Sequence, residues 1–192
     1  NPGWPGTGPA PTPAQPRRQT LPPGSDPAVS PASKPSAGVR PVVYLDVDGV
    51  VSALAPTHGF GDGAPFELFG DELTLSERLG DRLRCLDAEL RWLTTWGAEA
   101  NLIGAAMDLP DLPVAGLAPM DATAGGPWKF EVVRAQVELE RRPFVWIEDE
   151  AIPPEAEPWA AEIGVPCLLT EPDPDRGLTP AELDAVEAFV DR

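Results

Sequence analysis

Short apolar runs alternate with segments of helical periodicity over residues 42–192, and this alternation limits the fold more than any other feature of the chain. Four of these runs are expected to be strands, and the last of them, VPCLL at 165–169, contains Pro166, which indicates an edge strand. Strands that alternate with helices through short connections predict an α/β fold, here a Rossmann-like three-layer sandwich with a mostly parallel central sheet. The first three runs each stop at a polar residue, as strands buried on both faces do: VVYL at 42–45, RWL at 91–93 and FVWI at 144–147.

Four segments predict helices. The first covers 76–90, where four leucines share one helical face and Ser76 is expected as the N-cap. Two more are expected at about 97–108 and at about 127–140. The last begins with Thr179-Pro180-Ala181-Glu182, which combines a capping box with proline at the first helical position. The four leucines are Leu79, Leu83, Leu86 and Leu90.

Residues 1–41 differ from the rest of the chain because they contain 12 of its 26 prolines and few bulky apolar side chains. Such a segment cannot bury enough surface to offset its conformational entropy, so we expect a disordered or polyproline-like tail or linker. A ligand for a proline-recognising domain is the alternative. The folded unit is therefore predicted at 42–192.

The net charge of −17 divides unequally between these two parts. The tail carries +3, so residues 42–192 carry −20. This excess disfavours an extensive nucleic-acid groove and an anionic membrane surface as partners. No apolar run reaches the roughly 20 residues that span a bilayer, and the N-terminus lacks a signal-peptide pattern. The chain starts with Asn1 rather than Met, which fits a processed start, and we expect a cytoplasmic protein.

Several residues of types that often carry function are expected to be structural. Cys85 and Cys167 lie far apart and in no metal-binding spacing, so we expect two buried, small apolar residues, with a disulfide as the alternative. His58, in the glycine-rich stretch 58–63, is expected on a surface loop rather than in contact with substrate. Four tryptophans are expected in the core rather than as stacking platforms: Trp92, Trp96, Trp128 and Trp146.

The end of the first predicted strand reads Asp46-Val47-Asp48-Gly49. Side chains two residues apart in extended chain point the same way, so both carboxylates enter one small volume. Carboxylates that close need a cation, and Mg²⁺ is the hard ion that accompanies phosphate chemistry. Gly49 allows a sharp turn out of the strand. An ordinary turn is the alternative, whereas a calcium EF-hand is excluded because no acid follows at its spacing.

Two further strand ends carry polar pairs, Thr94-Thr95 and Glu148-Asp149. In open α/β sheets, ligands bind beyond the carboxyl ends of the strands, so these pairs are expected beside Asp46. Lys129, near the start of a predicted helix, is the only lysine in 42–192, where the other nine basic residues are arginines.

These four segments, in this order, resemble the four motifs of the haloacid dehalogenase-like (HAD) superfamily, whose members are mostly Mg²⁺-dependent phosphohydrolases. The resemblance covers essentially all of 42–192. The segments that carry it are VVYLDVDGV, RWLTTW, PWKFEVV and FVWIEDE.

The resemblance implies a role for each site residue. Asp46 would be the nucleophile that forms an aspartyl-phosphate, and Asp48 the general acid and base. Thr94, with Thr95 as the alternative, would hold a phosphoryl oxygen next to Gly49. Lys129 would neutralise developing negative charge. The Mg²⁺ ligands would be Asp46, the Asp48 carbonyl, Asp149 and, directly or indirectly, Glu148.

The chain departs from the family pattern in two places. The fourth motif is Glu-Asp rather than the common Gly-Asp, and residues 50–75 leave room for a flap but not for a cap domain. A minimally capped site is therefore expected, acting on a phosphorylated small molecule or a phosphorylated terminus. The chain is also similar to bacterial HAD domains of proposed RNA-repair proteins, so a nucleic-acid end phosphatase is one alternative. A catalytically silent scaffold whose proline-rich tail recruits a partner is the other.

Overall fold

The computed structural model describes residues 39–120, 127–150 and 152–192. The tail predicted at 1–41 lies outside these ranges except for its last three residues. None of the helices in the described ranges has the length and apolarity needed to cross a membrane. In chain order the elements are β1 (Val42–Leu45), β2 (Ala64–Leu68), β3 (Asp71–Leu75), α1 (Glu77–Cys85), β4 (Glu89–Trp92), α2 (Ala100–Ala106), α3 (Trp128–Glu140), β5 (Phe144–Ile147), α4 (Ala156–Glu162), β6 (Cys167–Thr170) and α5 (Pro180–Val190).

Four strands form one parallel sheet in the order β4-β1-β5-β6. Leu45 at the end of β1 lies opposite Trp92 of β4 and Ile147 of β5. Because the strands are parallel and end in register, the residues that follow β1, β4 and β5 meet at one edge of the sheet. The predicted α/β class and mostly parallel sheet are confirmed.

The sheet is covered by helices on both faces, which gives three layers. Successive residues of β1 alternate between two buried clusters, as the pleat requires. Val43 and Leu45 join one cluster with residues of α1, α2 and α5. Val42 and Tyr44 join the other with residues of α3 and α4. This arrangement is compatible with a Rossmann-like sandwich and buries the central strands on both faces.

The first helix is shorter than predicted. Ser76 is its N-cap, and its hydroxyl accepts a hydrogen bond from the Leu79 amide at 3.1 Å. The helix ends at Cys85, because Leu86 has an extended backbone, and Leu90 belongs to β4. The leucine periodicity continued past the helix since the helix and the strand bury their leucines in the same cluster.

The remaining predicted elements are close to the observed ones. The segment 97–108 begins as a 3₁₀ turn, Gly97–Glu99, and continues as α2. Strand β6 follows Pro166 and lies at the sheet edge, and the capping box at Thr179 is present. Helix α4 was not predicted. Pro158 lies in its first turn, where a missing amide hydrogen costs no helical hydrogen bond.

Residues 64–75, for which the sequence predicted only a flap, form an antiparallel hairpin of β2 and β3. Phe69 and Gly70 make its two-residue turn, and both have positive φ, at 56° and 96°. A bridge between Ala53 and Thr74 ties the hairpin to the segment that follows β1. The hairpin therefore stands beside the carboxyl edge of the sheet.

The expected surface position of His58 is wrong. Its side chain is buried, and Nδ1 accepts a hydrogen bond from the Phe60 amide at 3.2 Å. The proton therefore sits on Nε2, which lies 3.3 Å from the Val51 carbonyl oxygen. Burial lowers the pKa of His58, so the ring is a neutral internal clamp of the loop.

Both cysteines are free thiols, so the disulfide alternative does not apply. Cys167 is half-buried, but Cys85 is exposed, so its expected burial is also wrong. Cys85 lies in the last turn of α1 on the side away from the leucine face.

Candidate active site

The predicted site residues follow three neighbouring strands of the sheet. Asp46 directly follows β1, Glu148 and Asp149 follow β5, and Thr94 comes two residues after β4. Lys129 is the second residue of α3, whose first turn reaches the same edge. Parallel strand order thus brings together residues that are up to 103 positions apart in the chain (Asp46 and Asp149).

Lys129 links the first and fourth segments. Its Nζ donates hydrogen bonds to Asp46 Oδ2 and to Glu148 Oε2, both at 2.6 Å. The side chain is fully buried between the two carboxylates. Burial disfavours the ammonium, but the charges of Asp46 and Glu148 outweigh it and raise the pKa of Lys129. Lys129 is therefore a fixed positive charge at the end of β1.

The Asp46 carboxylate is fixed at both oxygens. Oδ1 accepts a hydrogen bond from the Val47 amide at 2.8 Å, and Oδ2 accepts the one from Lys129. Burial raises the pKa of Asp46, while the Lys129 ammonium, the Val47 amide and the Thr94 hydroxyl act in the opposite direction. These contacts hold the carboxylate in one orientation at the carboxyl edge of the central strand.

The two acids after β5 carry the excess negative charge. Burial and the nearby Asp46 charge raise the pKa of Glu148 to about 8. The same two causes raise the pKa of the half-buried Asp149. One ammonium faces three carboxylates, so the cluster is not neutralised by the residues that form it.

This group of carboxylates fits a hard cation. One oxygen from each of Asp46, Glu148 and Asp149 lies within 4.8 Å of the others. Oxygen donors and uncompensated negative charge are what Mg²⁺ requires of a protein site. The Asp48 side chain does not belong to this group, so any contribution from Asp48 would come from its backbone carbonyl.

Gly49 makes room for one of these acids. Its φ is +72°, and a Cβ atom added to it would lie 2.4 Å from Asp149 Oδ2. Both the left-handed backbone and the close carboxylate require glycine at this position. The turn that follows β1 therefore shapes the position of an acid that follows β5.

Asp48 is held by a residue that the sequence placed in the core. The indole Nε1 of Trp96 donates a hydrogen bond to Asp48 Oδ2 at 2.9 Å, and the Trp96 ring is half-buried. The only sequence signal was the position of Trp96 two residues after Thr94. Of the other three tryptophans, Trp92 and Trp146 are buried as expected and Trp128 is half-buried.

The two threonines of the second motif have different surroundings. Thr94 is fully buried, and its hydroxyl accepts a hydrogen bond from the Trp96 amide at 3.4 Å. Thr95 is exposed and lines a cleft next to Asp48. The Thr94 hydroxyl is near enough to Asp46 to act against the rise in its pKa, whereas Thr95 faces the space in front of the site.

Comparisons with protein-family models, with curated proteins and with solved structures found no match to this chain. The fold and the site define an α/β protein with a buried, lysine-linked carboxylate cluster at the carboxyl edge of its sheet.

Proposed function

We propose that this chain is a Mg²⁺-dependent phosphohydrolase of the HAD-like type, which works through an aspartyl-phosphate on Asp46. The observation that carries the proposal is the Asp46–Lys129–Glu148 hydrogen-bonded cluster, with Asp149 beside it, at the end of the central strand. A carboxylate nucleophile needs a fixed orientation and a nearby positive charge, and this cluster supplies both.

Asp46 attacks the phosphorus atom of the substrate, and the bond from phosphorus to the ester oxygen breaks. The Lys129 ammonium stabilises the negative charge that the transferring group brings to Asp46. The Thr94 hydroxyl, or that of Thr95 in front of it, holds a phosphoryl oxygen, next to the turn at Gly49.

Asp48 moves the protons. It gives one to the leaving oxygen and then takes one from the water that cleaves the aspartyl-phosphate, which releases phosphate and restores Asp46. The Trp96 hydrogen bond fixes the Asp48 carboxylate for both steps.

Asp46, Glu148, Asp149 and the Asp48 carbonyl are the groups that would hold Mg²⁺. When bound, the ion supplies positive charge that offsets the carboxylates and the phosphate. Lys129 already neutralises part of this charge, so phosphate can approach a cluster that would otherwise repel it.

The hairpin of β2 and β3 serves as the flap of a minimally capped site. An open cleft admits a phosphorylated small molecule or a phosphorylated terminus. The charge of −20 on residues 42–192 disfavours a long polyanion. A cytoplasmic location remains a prediction.

The test is phosphate release from p-nitrophenyl phosphate with Mg²⁺ and with EDTA. Asp46→Asn should lower kcat at least about 10³-fold, because the amide cannot act as a nucleophile. The matched control is Asp111→Asn at an exposed position, which should leave kcat unchanged. Undiminished activity of Asp46→Asn, or no turnover by the full wild-type chain on a broad panel of phosphate esters, contradicts the proposal. If the wild-type chain turns over none of the phosphate esters and a partner is captured only when the tail is present, the catalytically silent scaffold is favoured.

A further inference from the structure

A cleft of about 610 Å³ lies between the hairpin and the turn that follows β4. Asp48 forms part of its wall, so the cleft opens directly on the proposed general acid. The group that leaves from phosphorus must be next to Asp48 when it takes its proton, so it occupies this cleft.

The charge on the cleft wall is entirely negative. Asp71, Glu72 and Glu99 line it together with Asp48, and no lysine, arginine or histidine is among the described residues that do. None of these three acids forms an ion pair with another described residue, although most arginines of the described ranges do pair with acids. A leaving group in the cleft therefore meets uncompensated negative charge.

Two aromatic side chains complete the wall. Phe69, at the tip of the hairpin, is 71% exposed, and Trp96 presents a half-buried ring next to Asp48. Aromatic faces attract organic cations, and together with carboxylates they form the surroundings in which alkylammonium groups bind. Neither ring has a free hydrogen-bond donor for an anionic group, because the Trp96 N–H is bonded to Asp48. The carboxylates of the cleft would also repel such a group.

We propose that this cleft binds a positively charged leaving group, so that the substrates are phosphate monoesters of ammonium or quaternary ammonium alcohols. The inference rests on the proposed function, because it assigns the part of the substrate that Asp48 protonates. Lys129 would hold the phosphate at the carboxylate cluster, which would also hold the cation, and the acidic cleft would hold the ammonium group.

The experiment compares choline phosphate with its uncharged carbon isostere, 3,3-dimethylbutyl phosphate. The two esters have the same shape, so their ratio of kcat/KM isolates the charge. We expect the wild-type chain to prefer choline phosphate by at least about tenfold, from several exposed carboxylates and the aromatic faces together. A ratio of one or below overturns the inference.

The location is tested with Asp71→Asn/Glu72→Gln/Glu99→Gln, which should bring the ratio close to one. The matched control is Glu157→Gln/Glu162→Gln/Asp191→Asn, at exposed positions of α4 and the end of α5. It makes the same change in net charge away from the cleft and should keep the wild-type ratio. An unchanged ratio in the first variant, or an equal fall in both, overturns the assignment to this cleft.

A binding measurement separates this inference from the proposed function. Choline alone should bind the Asp46→Asn variant, as seen by saturation-transfer NMR, and binding should weaken when the three cleft acids are also replaced. Binding of choline without turnover of any phosphate ester supports the cleft and contradicts the phosphohydrolase. Turnover of p-nitrophenyl phosphate without choline binding supports the phosphohydrolase and overturns the cleft assignment.

Discussion

Two charged clusters lie at opposite edges of the same sheet, and they differ in balance. At the amino edge, Arg91 and Arg142 each pair with both Glu89 and Glu140, so two cations face two acids. At the carboxyl edge, Lys129 alone faces Asp46, Glu148 and Asp149.

The pKa shifts of the acids follow this difference. The pKa of Glu140 is lowered chiefly by its hydrogen bond from Arg91. Partial burial raises the pKa of Glu89, but Arg142 and Arg91 outweigh it and lower that pKa. The pKa of Glu148, by contrast, is raised to about 8 by burial and by Asp46. A balanced cluster stabilises the fold without a ligand, whereas the unbalanced one requires a cation for its acids to be charged together.

The largest contrast is expected from removing a cation from each cluster. Lys129→Met leaves Asp46 and Glu148 buried without their partner, so it should abolish activity and cost about 3–5 kcal/mol in free energy of unfolding. Arg91→Met leaves Arg142 paired with both acids, so it should cost less, about 1–3 kcal/mol, and keep activity. Chemical denaturation and phosphate release measure both. Equal losses in the two variants would contradict the distinction between the clusters.

The next effect concerns the space that the unbalanced cluster needs. Gly49→Ala should displace the Asp149 carboxylate and weaken Mg²⁺ binding, in addition to a backbone cost of about 1–2 kcal/mol. Isothermal titration with Mg²⁺ measures the binding.

Gly61→Ala is the matched control for that change. Gly61 has nearly the same φ, +78°, but an added Cβ would meet nothing within 4 Å. It should show only the backbone cost, with Mg²⁺ binding unchanged. If both variants bind Mg²⁺ as the wild type does, Asp149 is not a ligand.

A smaller effect is expected at Asp48, which lies beside the unbalanced cluster but outside it. Trp96→Phe keeps an aromatic side chain, though a smaller one, and removes the N–H that fixes Asp48, so kcat for p-nitrophenyl phosphate should fall by about tenfold. Trp159→Phe removes a comparable indole hydrogen bond, to Glu138, and should leave kcat unchanged. An unaltered kcat in Trp96→Phe means that the bond does not position Asp48.

The last contrast is the pH dependence of stability, which should have opposite signs in the two clusters. Without metal, folded Glu148 keeps its proton up to about pH 8, whereas an unfolded glutamate loses it near pH 4.5. The contribution of protonated Glu148 to the free energy of unfolding is therefore lost as pH rises from about 4.5 to about 8, by at most about 1.4 kcal/mol per pH unit. The lowered pKa of Glu89 gives a contribution that is lost as pH falls below about 4.5.

Denaturation midpoints in EDTA, measured from pH 3.5 to 8.5, test these signs. Glu148→Gln should flatten the curve above pH 5, and Glu89→Gln should flatten it below pH 5. A wild-type stability that rises from pH 5 to 8 without metal would contradict the raised pKa of Glu148.

The sequence predicted the central sheet well for a physical reason. Strands β1 and β5 are buried on both faces, so VVYL and FVWI are continuous apolar runs that no loop would carry. The polar residues directly after them then had to meet at one edge. The proximity of Asp46 to Glu148 and Asp149 was predictable at this level, whereas Lys129 was assigned to the site only through the motif resemblance.

The hairpin and α4 could not be predicted in the same way. Strand β2 is mostly exposed and contains Pro65, and β3 begins with two exposed acids and buries only two leucines, so neither strand shows a continuous apolar run. Contacts between distant elements could not be predicted from the sequence either. Among them are the hydrogen bond from Trp96 to Asp48 and the burial of His58. They depend on how the chain packs, and neither residue type nor spacing specifies that.

The most direct test of the account is chemical trapping of the aspartyl-phosphate. Asp48→Asn lacks the base that activates water, and p-nitrophenolate leaves without an acid, so the intermediate should accumulate in this variant with Mg²⁺ and p-nitrophenyl phosphate. Borohydride reduces an acyl phosphate to an alcohol, so peptide mass spectrometry should find residue 46 converted to homoserine. Stoichiometric release of p-nitrophenol with Asp46 unmodified would contradict the proposed mechanism.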